Sequence, residues 1–184
     1  MPRPAPAAPR PGSQRARLVS SIAILLLAAG SVLFYSVRRA AQLFDLGIDA
    51  HAQCAVAADT NQRLPHSDLA DALGPQLAAV GGGTALVAAG TCSAAGRDYT
   101  DVVLRKEKAL ISVSLTHRSD QEVFPRLFAG QVTNGIHVTD RRGYALAAFE
   151  SGPYLAYVAS NLPTDRNEQL ASLYLPVINR IATQ

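Results

Sequence analysis

The sequence predicts an α+β protein: an N-terminal single transmembrane helix followed by one domain, an antiparallel sheet with helices packed on one face. Three observations predict it. Residues 18–37, "LVSSIAILLLAAGSVLFYSV", carry no charge. Between residues 84 and 160, short apolar runs with period-two alternation are separated by polar, glycine-containing turns. Segments with helical spacing precede and follow that block.

The first 17 residues hold Pro2, Pro4, Pro6, Pro9 and Pro11, which remove backbone donors and predict a disordered cytoplasmic tail. Twenty uncharged residues at helical rise then cover about 30 Å, the thickness of the hydrocarbon layer. Four arginines before the run and two after it, Arg38 and Arg39, place the N-terminus in the cytoplasm. A cleaved signal peptide competes with this reading. The run is long for one, "SVRRA" is a poor cleavage site, and Ala50-x-Ala52 lies far downstream. The expectation is an uncleaved anchor in a bacterial inner membrane, with the following domain in the periplasm. The lipid bilayer is then the first partner.

The 184 residues suit one medium domain plus this appendage. The pI near 9.1 reflects the membrane flanks. From residue 40 onward, 11 basic residues face all 14 acidic ones, so the folded part is mildly acidic and excludes a phosphate-backbone footprint. No nucleic-acid partner is expected.

Residues 38–52 read as a juxtamembrane linker or a helical continuation, and the domain proper as 53–184. "QCAVAA" reads as a short buried strand, though its alanines leave helix open. In "LPHSDLADALGPQLAAV", Ser67 is an N-cap candidate and Leu69, Leu73, Leu77 and Val80 share a face, with Gly74-Pro75 expected to bend or split the helix. Asp68 and Asp71 read as a solvated first turn. "TALVAAGTCS", "YTDVVLR" and "ALISVSLTHR" are strands; in the last, Ile111, Val113 and Leu115 alternate with Ser112, Ser114 and Thr116, giving a dry face and a wetter one. "EVFPRLFAG" is a short helix or loop, and a meander with turns at Asp140–Gly143 and Ser151–Pro153 follows. A final helix should open after Pro163 with Asp165 and Glu168 as capping pair, bury a stripe containing Leu170, Leu173, Tyr174, Val177 and Ile178, and kink at Pro176.

The chemistry screen is empty of HExxH, CxxC, Gly-x-Ser-x-Gly, dinucleotide and P-loop patterns. Gly81-Gly82-Gly83 lacks the Gly-Lys-Ser/Thr that a phosphate loop needs, and His66, His117 and His137 read as exposed or locally hydrogen-bonded histidines. The cysteines are more informative, since the chain has two, Cys54 and Cys92. In an exported domain they most simply form a disulfide. The alternative is a copper or zinc site using His51, Cys54 and Cys92 with His117 as fourth ligand. Two free buried thiols are a third reading.

One likeness enters after these residues. "DAHAQCAV", "CSAAGRDYTDVVLRKEKALISVSLTHR" and "YALAAFESGPYLAYVASNLPTDRNEQLASLYLPVI", in that order behind a single-pass helix, resemble the extracytoplasmic half of bacterial membrane-anchored anti-sigma factors. Members of that group bind a sigma factor through a cytoplasmic domain, commonly with a His-x3-Cys-x2-Cys zinc motif. This chain has no such motif, so no family ligand transfers to a residue here. The resemblance implies an outside module without the sigma-binding one. The functional expectation is a non-enzymatic sensor or interaction domain that meets a membrane or periplasmic protein partner; the alternative is a metal-binding or redox protein.

Overall fold

The computed structural model describes residues 12–60, 63–119, 122, 124 and 131–182. Most of the proline-rich tail and most of "EVFPRLFAG" lie outside the described residues.

Helix α1 runs Gly12–Ala50 without a break. From Ile24 to Val37 its large apolar side chains touch little else in the protein: Leu27 is 72% exposed and Phe34 68%. This stretch belongs to a helix long and apolar enough to cross a membrane. At Ala40 the environment reverses. Ala40, Leu43, Phe44 and Ile48, spaced along one helical face, are all buried. The juxtamembrane residues are thus the helical continuation, and the core already includes them. A π-turn, His51–Ala55, and a short helix α2, Val56–Asp59, complete the run. The strand expected over "QCAVAA" is therefore helical. Alanine is the best helix former, and an unbroken helix upstream removes the cost of nucleation.

Helix α3, Asp68–Val80, starts at Ser67, whose Oγ accepts from the Ala70 amide at 3.3 Å as the N-cap pattern predicts. It passes through Pro75 without splitting, because Leu73 and Leu77 on either side are both fully buried and hold the two turns together. Helix α4, Thr164–Ala182, opens one residue earlier than the expected cap, with the Asn167 amide donating to Pro163, so Asp165 lies in its first turn. Its stripe is buried at Leu170, Tyr174, Val177 and Ile178, while Leu173 is 50% exposed.

Between these helices lie seven strands: β1 Ala85–Ala94, β2 Arg97–Lys106, β3 Ala109–His117, β4 Gln131–Thr133, β5 Ile136–Arg141, β6 Tyr144–Ser151 and β7 Tyr154–Ser160. They form one antiparallel sheet in the order β1-β2-β3-β7-β6-β5-β4. Sequential hairpins build each half, and β7 closes the sheet against β3. Several turns need left-handed backbone, as at Arg142 (φ 54) and Gly143 (φ 80) between β5 and β6.

Helices α3 and α4 pack together on one face, against Val102, Ile111, Val113, Leu115, Phe149 and Val158 among others. The other face is covered too. The continuation of α1 lies on Tyr99, Leu146, Leu155 and Tyr157, and Ala55 and Ala58 lie on Val103. The wetter side expected of β3 is consequently dry: Ser112 and Ser114 have no exposed area and Thr116 has 4%. Strand alternation records two environments, but it does not say whether the polar one is water or hydrogen-bonding protein.

Candidate functional site

The joint where the apolar helix enters the domain concentrates the molecule's polar chemistry. Its geometry begins with Gly47. A Cβ placed there would stand 2.5 Å from Cδ1 of Tyr157, so glycine lets the helix approach the sheet closely. Three kinds of tie then fix the helix.

At the β1 edge, Cys54 and Cys92 form a disulfide with a Cα–Cα distance of 5.9 Å. The π-turn carries Cys54 into the core, where it is fully buried. Toward the other edge, Asp45 and Asp49, one turn apart on α1, meet the β5–β6 turn. Asp45 Oδ1 lies 3.0 Å from Arg141 Nε and 3.2 Å from Arg142 Nη2, and Asp49 Oδ1 lies 2.7 Å from Arg142 Nη1. The left-handed backbone at Arg142 belongs to this clamp. Over β3, His51 Nδ1 stands 2.7 Å from Ser112 Oγ, and the His51 ring meets Tyr144 edge-on at 4.8 Å.

Beneath the helix lies a buried polar group. Asp101 on β2 pairs in register with Ser114 on β3, whose hydroxyl donates to Asp101 Oδ1 at 2.5 Å. Asp101 Oδ2 is buried without a hydrogen-bond partner. Burial pushes the Asp101 carboxyl up to about 7, against the opposing hydrogen bond from Ser114, and burial lowers the His51 imidazole to about 4. Burial also raises Tyr99, to about 12, and Tyr157. At neutral pH His51 is therefore neutral, and burial favours the protonated, uncharged form of Asp101. Because Asp101 has no exposed area and His51 only 3%, their chemistry acts on the packing of the joint and not on a solute.

A groove of about 730 Å³ opens at the same joint, on the side of the apolar segment. Phe34, Tyr35 and Arg38 contribute one wall from α1, and Arg97 and Glu122 contribute another from the domain. Arg97 pairs with Glu122 through Nη2, while its Nη1 is buried without a hydrogen-bond partner.

The residues singled out from sequence fall into separate places. Cys54 and Cys92 are joined to each other. His51 turns to Ser112, and His117 lies on Tyr154 with ring centroids 4.5 Å apart. The set His51, Cys54, Cys92 and His117 considered for copper or zinc is thus not assembled: the disulfide removes both thiolates, and among the described residues no group of three or more His, Cys, Asp or Glu is placed to hold a metal ion. His66 bridges Asp68 and Asp71 at 3.0 and 2.9 Å on the surface. His137 is buried and stacks on Phe124 at 4.9 Å. Sequence reasoning missed Asp101, Ser112 and Ser114 as a buried set and missed the Asp45–Asp49 clamp. Two acids at i and i+4, with an Arg-Arg-Gly turn downstream, carried the only signal.

Compared with known proteins, the chain matches no family model, and neither a curated protein nor a solved structure is similar enough to count as a match.

Proposed function

We propose that the chain is a single-pass membrane protein whose α+β domain stands on the periplasmic side of a bacterial inner membrane and serves as a non-enzymatic sensor or interaction module. One observation carries the reading: the apolar helix runs unbroken from its exposed segment into the core of the domain. No flexible linker separates the apolar segment from the domain, since Ala40, Leu43, Phe44 and Ile48 on the same helix already pack on the sheet. Cleavage near residue 50 would cut α1 inside its packed face, which supports an anchor over a removed signal. The Cys54–Cys92 disulfide supports an oxidising compartment for the domain. Sealing of His51, Asp101, Ser112 and Ser114 away from solvent supports an interaction role over catalysis. The likeness to anti-sigma factors adds a regulatory class to the reading.

Fusions of an exported-only reporter enzyme after residue 17 and after residue 184 test the topology, together with carbonate extraction of the membranes. Activity at the C-terminal fusion alone, with the chain retained by carbonate-washed membranes, is expected. A soluble, processed chain lacking residues 1–37 defeats the anchor. Crosslinking in intact cells then tests the interaction role; a domain that captures no membrane or periplasmic protein defeats that part.

A further inference from the structure

We propose that the groove between the apolar helix and the domain is a binding site for the head group of an anionic phospholipid, which the chain holds as part of its seat on the membrane. The inference rests on the anchor reading above and assigns that anchor a specific lipid.

Position comes first. Arg38 follows the last residue of the uncharged segment 18–37, which puts it at the depth of lipid phosphates. One turn before Arg39 lies Tyr35, an amphipathic ring suited to the same level. Arg39 Nη1 donates to Tyr35 Oη at 3.2 Å, and its guanidinium lies 6.0 Å from the ring centroid. Phe34 and Tyr35, 68% and 63% exposed, offer the acyl side of the groove an apolar wall.

Charge comes second. The acids that line the groove already have cations: Asp45 and Asp49 face Arg141 and Arg142, and Glu122 faces Arg97. Arg38, by contrast, is exposed and makes no ion pair among the described residues. From the domain side, Arg97, 28% exposed and paired with Glu122, lines the groove. A phosphate oxygen at this depth meets Arg38, with Arg97 adding positive charge from the domain wall. A zwitterionic head group brings an ammonium for which the groove, among the described residues, keeps no carboxylate outside an ion pair, so the site selects for net negative charge.

The test uses the full chain reconstituted in nanodiscs with equal phosphatidylglycerol and phosphatidylethanolamine, released into mild detergent for native mass spectrometry. Wild type should retain phosphatidylglycerol in preference, and Arg38→Gln should lower that preference roughly fivefold, with Arg38→Lys keeping most of it. Because Arg38 is exposed and has no carboxylate partner, the Cys54–Cys92 disulfide and the unfolding temperature should be unchanged in both variants. Equal retention of the two lipids, or an unchanged preference in Arg38→Gln, overturns the site while leaving the anchor standing. Displacement of the lipid by inorganic phosphate also overturns it, in favour of a free-anion site. A chain that carbonate strips from membranes overturns the anchor and the lipid site together.

Discussion

The two faces of the sheet are covered by different means. Helices α3 and α4 cover theirs mainly with apolar side chains; Asn167 is satisfied by Ser160 at 2.8 Å and by the Val158 carbonyl at 2.9 Å, and the Tyr174 hydroxyl is buried among them. The α1 face keeps His51, Asp101, Ser112 and Ser114 buried and secures its helix with a disulfide and an ion-pair clamp. Non-directional burial suits helices whose only task is to complete a core. Under the anchor reading proposed above, α1 also meets forces that the domain does not set, and bonds that fix its rotation and height would keep the two parts in register.

Removal of the covalent tie should have the largest effect. For a closed loop with a sequence separation of 38, chain-entropy reasoning gives about 4 kcal/mol of lost stability in a Cys54→Ser/Cys92→Ser variant. Hydrogen exchange should rise over residues 40–59 while α3 and α4 keep their protection. Equal loss on both faces would mean that they form one cooperative unit. On the opposite face, Leu77→Ala leaves a cavity under α3 and should cost about 3 kcal/mol in denaturant titration, with the α1 segment keeping its protection. Gly47→Ala drives a methyl against Tyr157 and should cost about 2 kcal/mol. An unchanged unfolding midpoint there would show that the helix can lift from the sheet.

The subtlest test is a pH profile of the denaturant midpoint. Asp101 is raised to about 7 in the fold, so its contribution is fully present below its unfolded pKa of 3.8 and is lost as pH climbs through 7. His51 is lowered to about 4, so its contribution is present above 6.5 and lost as pH falls through 4. Between those limits the two slopes oppose each other in the wild type. Asp101→Asn removes one of them, and the variant should gain stability as pH rises from 4 to 6.5. Profiles that superimpose would show that Asp101 is ionised in the fold at all these values.

Much of the fold was legible because it rests on local rules. The apolar run, Ser67 as cap, the Leu73–Leu77 stripe and most of the strands follow from composition and period. "QCAVAA" was ambiguous because short alanine-rich segments take the structure of what precedes them, and here a long helix precedes them. Of the joint, the cysteine pairing was legible as the simplest arrangement of two sulfurs. His51, a ligand only in the alternative metal reading, turns to Ser112, 61 positions away, a contact that no local pattern encodes.

The sequence by itself determined that a membrane-length apolar segment precedes an α+β domain, where most of the strands fall and that its two cysteines could pair. Each is written in neighbouring residues or in residue counts. The tertiary structure alone decided the strand order, the second layer on the polar side of β3, and the meeting of Asp45 and Asp49 with a turn more than 90 residues later. Alternation gives a strand two faces, but what covers each face depends on where the rest of the chain is free to pack.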